Sequence, residues 1–209
     1  MTFIRHPDAV PNAVSESTGG GADRREGDRY RTVWRIAKVA RDGDAGLWRV
    51  RNMSNGGMML ATDVPVTVGE QLEVALSDKV VVRGRVAWAK DGRCGVAFDA
   101  EVDVAELLRQ LAVEQSARRH RPPRLTVRTA ARAVIEYRPV DIELINLSQS
   151  GAGFVHDGGI EAGKEIELVL ADGVRRKAIV RWSRGERGGV WLTQPLDRAD
   201  LESIRRFEE

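Results

Sequence analysis

The sequence predicts an all-β protein with short helices, built from two tandem antiparallel β-barrels. The segment Asn-Met-Ser-Asn-Gly-Gly at 52–57 returns as Asn-Leu-Ser-Gln-Ser-Gly at 146–151, which is an offset of 94 residues. Trp88 returns as Trp182 at the same offset. Each copy contains several short apolar runs separated by turn residues, as in small closed sheets. A chain of 209 residues is long enough for two such domains.

The clearest strand of the first copy alternates in polarity with a period of two. The second copy contains a similar apolar series. The members of the first series are Val80, Val82, Val86 and Trp88, and those of the second are Ile179, Val180 and Trp182. Because the two tryptophans occupy equivalent strand positions, we expect them to pack in the barrel cores rather than to stack on a base.

Each copy is predicted to end in a helix that covers an open end of its barrel. In the first copy, four apolar residues follow the helical spacing i, i+3, i+4, i+7; they are Val104, Leu107, Leu108 and Leu111. Asp103 and Glu106 have the spacing of a capping box at its start. A weaker counterpart follows Asp197–Asp200, with Leu201 and Ile204.

These patterns divide the chain into three parts. Residues 1–23 are rich in Pro, Ser, Gly and Ala and are predicted to be a disordered tail. Residues 24–116 and 117–209 are predicted to be the two barrels. No segment has the roughly 18 apolar residues that a membrane span needs, nor the apolar core of a secretion signal, so we expect a cytoplasmic protein. The single cysteine, Cys94, is expected to be a buried structural thiol.

The positive charge of the chain is local. The sequence has 33 basic and 31 acidic residues, so its formal net charge is only +2. Arginines nevertheless cluster before each copy: Arg24, Arg25, Arg29 and Arg31 before the first, and Arg118, Arg119, Arg121, Arg124 and Arg128 before the second. Such focused charge indicates a compact anionic ligand rather than a long polyanion.

The order of the motifs in the first copy resembles the PilZ family. An R-x-x-x-R loop from Arg25 to Arg29 precedes an N-x-S-x-x-G motif from Asn52 to Gly57. The resemblance extends over residues 24–209 as two copies. It implies six-stranded antiparallel PilZ-type barrels, each with a C-terminal helix, and it implies binding of the bacterial second messenger cyclic di-GMP. The ligand-binding residues that it implies are Arg24, Arg25, Arg29, Asn52, Ser54 and Gly57.

The chemistry of these residues suits such a ligand. A guanidinium group is a planar fork of donors that matches phosphate oxygens and also the O6/N7 edge of guanine. Asn52 offers amide donors and a carbonyl acceptor, and Ser54 offers a hydroxyl. Gly57 permits close approach of the backbone. Taken alone, however, Asn-x-Ser-x-x-Gly is also ordinary turn chemistry.

The second copy departs from this pattern. At the 94-residue offset Arg25 corresponds to Arg119, but Arg29 corresponds to Pro123, with Arg124 one residue later. The prolines at 122 and 123 stiffen this loop. A candidate second site would therefore contain Arg119, Arg124, Asn146, Ser148 and Gly151, and the sequence leaves open whether it binds ligand.

The sequence favours a non-enzymatic receptor or adaptor. It has no recognisable nucleophile motif, no phosphate-binding loop and no metal-binding cluster, so we expect no catalytic residue, no metal and no cofactor apart from the ligand cyclic di-GMP. Ligand would order the arginine loop of the first barrel and alter inter-domain or partner contacts, with an effector protein that the sequence does not name. The alternatives are a ligand-free scaffold for protein–protein interaction and, less favoured at 5% aromatic content, a basic barrel that binds single-stranded nucleic acid.

Overall fold

The computed structural model describes residues 35–117, 123–171 and 173–207, and within them the chain forms two closed barrels. The first barrel has six antiparallel strands in the order β1-β2-β3-β6-β5-β4. These strands are β1 (Arg35–Arg41), β2 (Asp44–Ser54), β3 (Gly57–Ala61), β4 (Gln71–Ala75), β5 (Val81–Lys90) and β6 (Arg93–Phe98), followed by helix α1 (Val104–Ala117). The prediction of tandem six-stranded barrels is confirmed.

The second barrel repeats this connectivity, with its strands in the order β10-β11-β12-β9-β8-β7. Its strands are β7 (Leu125–Ile135), β8 (Arg138–Ser148), β9 (Gly151–Val155), β10 (Glu165–Val169), β11 (Arg175–Arg184) and β12 (Arg187–Leu192). The proposed tail, residues 1–23, lies outside the described residues, and the domain limits 24–116 and 117–209 stay predictions. No described helix is long and apolar enough to cross a membrane.

Helix α1 forms as the sequence predicts and covers the first barrel. The Glu106 amide donates to Oδ1 of Asp103 at 3.0 Å, which satisfies one of the free amides of the first turn. Val104, Leu107 and Leu111 are buried in the same apolar core as the inward-facing residues of the strands. The helix therefore closes one end of the barrel with its apolar face.

The helix predicted at the end of the second copy is replaced by two 3₁₀ turns, Ala199–Leu201 and Ile204–Phe207. The reason lies in contacts with the first barrel. The carbonyl of Glu202 accepts a hydrogen bond from Nε1 of Trp48, and the amide of Ile204 donates to Asp44. Because these backbone groups are used by the first barrel, they are not available to a continuous α-helix.

The expectation that Trp88 and Trp182 are core residues is wrong. A β-bulge between Val86 and Trp88 inserts one residue into β5, and an equivalent bulge precedes Trp182 in β11. Because side chains alternate between the faces of a strand, one extra residue moves the tryptophan to the outer face. Trp88 is 44% exposed and Trp182 is 42% exposed.

Residues 199–207, here called the C-terminal segment, join the two barrels through buried polar contacts. The carboxylate of Asp44 accepts hydrogen bonds from Oγ of Ser203 at 2.8 and 2.9 Å and from the amide of Ile204 at 3.1 Å. The carboxylate of Glu202 accepts from Oγ1 of Thr62 at 3.0 Å and from the amide of Asp63 at 2.5 Å. Both carboxylates are buried, so each depends on its partners across the interface.

Apolar packing reinforces these polar contacts. Leu47, from the outer face of β2, is buried in the core cluster of the second barrel together with Phe207. Beside it, a Cβ on Gly46 would lie 1.9 Å from the carbonyl oxygen of Glu202. Only glycine at position 46 lets the C-terminal segment approach β2 so closely.

We predict that Gly46→Ala destabilises the protein. The added methyl group would overlap the Glu202 carbonyl, and overpacking of this kind costs about 1–3 kcal/mol. The free energy of unfolding, measured by denaturant titration, should fall by this amount. Gly56→Ala is the matched control, because a Cβ at position 56 meets no atom within 4 Å. Equal stability of the two variants would contradict the proposed close contact.

The expectation that Cys94 is a buried thiol is confirmed, since Cys94 is 0% exposed. Burial raises its pKa to about 11, and the nearby Glu70 acts in the same direction. The reactive thiolate is therefore scarce at neutral pH.

We predict that Cys94 resists alkylation by iodoacetamide in the native protein at pH 8 and reacts fully in denaturant. The measurement is the labelled fraction by mass spectrometry, and a free cysteine peptide serves as the reference. Labelling of the native protein at the rate of this peptide would contradict the burial.

Candidate ligand-binding site

The structure brings Asn52, Ser54 and Gly57 together in one hairpin of the first barrel. Asn52 and Ser54 occupy the end of β2, and Gly57 begins β3. Oγ of Ser54 donates to the carbonyl of Gly57 at 3.3 Å, which links the two strands at the turn. Both polar side chains are half-buried, and so remain accessible from outside the barrel.

A β-bulge turns these side chains outward. The pairing of β2 with β3 shifts register between Val50 and Asn52, so that Arg51 is the additional residue. Val50 and Met53 are buried in the core, and Asn52 and Ser54 consequently lie on the outer face. Without the bulge, Asn52 would have the same inward direction as Val50.

The glycine of the motif is required by a close approach of neighbouring strands. A Cβ on Gly57 would lie 2.4 Å from the carbonyl oxygen of Val96 in β6. The equivalent Gly151 would place a Cβ 2.5 Å from the carbonyl oxygen of Val190. In both barrels the motif therefore ends where the backbone leaves no room for a side chain.

One cross-strand row connects the motif to an exposed tryptophan. Asn52 pairs with Met59, Met59 with Gly95, and Gly95 with Trp88. The indole of Trp88 covers Gly95, because a Cβ there would lie 2.0 Å from Nε1. Adjacent strands are about 4.8 Å apart, so the row extends about 14 Å across the outer face. A strict period of two would place Trp88 inside the barrel. The bulge in β5 moves it to the outer face and so into this row.

Basic side chains surround the row, and the sequence analysis did not identify them as site residues. They lie on three strands: Arg49 and Arg51 on β2, Arg85 and Lys90 on β5, and Arg93 on β6. Arg85 and Arg93 are exposed and have no hydrogen bond or ion pair with any other described residue. The Arg-x-Arg spacing at 49–51 and 83–85 is the sequence pattern that indicates a basic strand face, since alternate residues of a strand share a face. We call these five residues, with Asn52, Ser54 and Trp88, the outer face of the first barrel.

The arginines at the N-terminal side of the predicted site are not part of this description. Arg24, Arg25 and Arg29 lie outside the described residues, as does Arg119 of the second copy. Their approach to Asn52 and Ser54, or to Asn146, stays a prediction.

The second barrel has the same local geometry, but its motif serine is buried and its motif asparagine is bonded to an arginine. Oγ of Ser148 donates to the carbonyl of Gly151 at 3.0 Å, and Ser148 is only 1% exposed. Nη1 of Arg124 donates to Oδ1 of Asn146 at 2.5 Å. The predicted residues Arg124, Asn146, Ser148 and Gly151 are thus brought together. Ser148 is buried, and Asn146, half-buried like Asn52, already accepts a hydrogen bond from Arg124.

The second barrel also lacks most of the cations of the first. At the 94-residue offset three basic positions become acidic or apolar, and one small residue becomes an indole. The changes are Arg49 to Glu143, Arg51 to Ile145, Arg85 to Ile179 and Ala97 to Trp191. The surroundings of Asn146 and Ser148 therefore attract an anion less strongly than those of Asn52 and Ser54.

Comparison with known proteins agrees with this duplication. The PilZ domain family matches the chain twice, over residues 23–114 and 116–209. No curated protein matches the chain.

The solved structures that the chain is similar to are distant in sequence. PlzA of Borreliella burgdorferi in complex with c-di-GMP has 9% identity and a TM-score of 0.38, covering 84% of this chain and 88% of its own. The Bacillus subtilis inhibitor of motility MotI/DgrA has 13% identity and a TM-score of 0.35, covering 80% and 91%. YcgR of Escherichia coli in complex with c-di-GMP has 10% identity and a TM-score of 0.29, covering 75% and 74%. With two family matches that together cover nearly all of its length, the chain belongs to the PilZ domain family as a tandem protein.

Proposed function

We propose that the first barrel is a non-enzymatic receptor site for cyclic di-GMP. The observation that carries this proposal is the outward-facing pair Asn52 and Ser54 next to two exposed cations, Arg85 and Arg93, that have no partner within the described part of the chain. In the proposed complex, Arg24, Arg25 and Arg29 close over the ligand from the N-terminal side. The motif residues of the hairpin form the opposite wall, with Gly57 at its base.

The chemistry of the outer face matches the two halves of this ligand. Its two phosphates need guanidinium donors, which Arg85 and Arg93 supply without first breaking an ion pair. Its two guanines need planar contacts and polar edges. The exposed indole of Trp88 offers a stacking surface, and the amide of Asn52 offers both donors and an acceptor.

The differences between the two barrels support a single ligand site. In the second barrel Asn146 is bonded to Arg124, and Ser148 is buried. A ligand would have to break the hydrogen bond between Arg124 and Asn146 and expose Ser148. We therefore propose that the second barrel leaves cyclic di-GMP unbound.

The output of binding is proposed to be a new surface for an effector protein. Strand β2 contains the interdomain residues Asp44, Gly46 and Trp48 in its first half and Asn52 and Ser54 at its end. The first half is held by buried contacts with the C-terminal segment, so we propose that the response to ligand occurs in the arginine loop. Ligand would order this loop on the first barrel and so alter partner contacts.

We predict that the full chain binds cyclic di-GMP with one ligand per chain in isothermal titration calorimetry. Arg25→Ala should weaken binding by about tenfold or more, since a hydrogen bond to a charged group contributes about 1.5–3 kcal/mol. Arg119→Ala is the matched control at the 94-residue offset and should leave the affinity unchanged. Absence of heat with the wild type would overturn the proposal in favour of a ligand-free scaffold.

We predict a similar loss for Arg85→Ala, because this exposed guanidinium has no competing partner among the described residues. The control is Arg83→Ala on the same strand. Arg83 is also exposed, but its Nη2 is paired with Glu73 at 2.8 Å. The same titration should show a loss for Arg85→Ala and little change for Arg83→Ala. Equal affinities of the two variants would place the ligand away from the outer face of the first barrel.

A further inference from the structure

The outer face of the second barrel has exposed aromatic side chains that cyclic di-GMP binding by the first barrel does not use. Trp182 on β11 is 42% exposed, and Trp191 on β12 is 46% exposed. The indole of Trp182 covers Gly189, where a Cβ would lie 2.3 Å from Nε1. Its position is thus set by the backbone of the neighbouring strand, while its remaining surface faces solvent.

The two indoles are neighbours on one sheet surface. Trp182 pairs directly with Gly189, and Trp191 is two residues further along β12, on the same face. Such diagonal positions are about 7–8 Å apart, within reach of large side chains. The second barrel therefore presents two adjacent aromatic surfaces on this pair of strands. The first barrel has Trp88 alone on the equivalent strands β5 and β6 as described, because Ala97 occupies the position of Trp191.

Two arginines continue this surface toward the tip of the hairpin. Arg184 and Arg187 are paired across the strands, and both are exposed. Neither has a hydrogen bond or ion pair with another residue that the structure describes. The nearby acidic residues are Glu186, in the turn, and Glu143, which lies two strands away from Arg187 in the same row.

We propose that this surface binds single-stranded nucleic acid. We call it the β11–β12 strip and define it by Trp182, Trp191, Arg184 and Arg187. Bases stack on exposed indoles irrespective of sequence, and unpaired arginines bind the phosphates between them. From Trp191 to Arg187 the strip is about 14 Å long at ~3.4 Å per residue, so it follows an extended strand rather than enclosing a compact ligand.

The geometry favours a linear strand over a second cyclic dinucleotide. A cyclic dinucleotide bound as proposed for the first barrel would need the polar residues of the motif. In the second barrel, however, Asn146 is bonded to Arg124 and Ser148 is buried. The sequence argues against nucleic acid on two grounds, which are the aromatic content of 5% and the expected burial of Trp88 and Trp182. The exposure of both indoles removes the second ground.

The test is fluorescence anisotropy of a fluorescein-labelled 12-residue oligothymidylate with the full chain at low salt. Trp182→Ala and Trp191→Ala should each weaken binding by about fivefold or more, since stacking contributes ~1–3 kcal/mol per base. Arg187→Gln should reduce the dependence of log K on log salt concentration by about 0.7, the value for one phosphate contact on a single strand. Having two tryptophan variants guards against one of them failing to fold, which thermal unfolding would reveal.

Two matched controls test whether the effect is local. Tyr137→Asn removes an aromatic side chain that is 98% exposed in a turn at positive φ, and Arg132→Gln removes an exposed charge from β7, which pairs with neither β11 nor β12. Both should bind the oligonucleotide like the wild type. No binding by the wild type, or equal losses in the controls and the strip variants, would overturn the proposal. So would competition by cyclic di-GMP that persists in Arg25→Ala, because the strip would then be a cyclic dinucleotide site.

Discussion

The contact between the C-terminal segment and strand β2 is the constraint on which the arrangement of the two barrels depends. Asp44 and Glu202 each contribute a buried carboxylate that accepts hydrogen bonds from the other barrel. Loss of these donors would leave a buried charge less well compensated, which costs more than an exposed contact contributes. Gly46 permits this contact, and Leu47 extends it into the apolar core of the second barrel. The two copies are therefore joined by buried polar and apolar contacts between two separate cores.

Bulges in the strands determine which chemistry reaches the surface. The same irregularity recurs before Asn52 and before Asn146, and again before each of the equivalent tryptophans. A single additional residue reverses the direction of every side chain that follows it until the strand ends. In this way a strand can supply valines to the core in one half and a polar or aromatic surface in the other. The duplicated bulges give both copies the same backbone scaffold on the outer face.

The two copies differ in the side chains on that scaffold. The first has exposed cations around Asn52, while in the second Asn146 is bonded to Arg124 and Trp191 stands where the first has Ala97. Because the strand order is the same in both barrels, these side chains alone give one chain two outer faces with different chemistry.

The sequence by itself determined the duplication, the barrel fold and the motif hairpin. A fixed offset, alternating strands and an Asn-x-Ser-x-x-Gly turn are local patterns, so Asn52, Ser54 and Gly57 could be found without coordinates. Only the tertiary structure decided the direction of Trp88, because a bulge depends on pairing with another strand and leaves no local signal.

Long-range contacts decided the remaining features as well. The end of the second copy became two 3₁₀ turns because its backbone bonds to β2, about 150 residues earlier in the chain. The cations Arg85 and Arg93 joined the site because β5 and β6 close the sheet beside β3. Sequence patterns report what neighbouring residues prefer, whereas these outcomes depend on which distant groups meet in the folded chain.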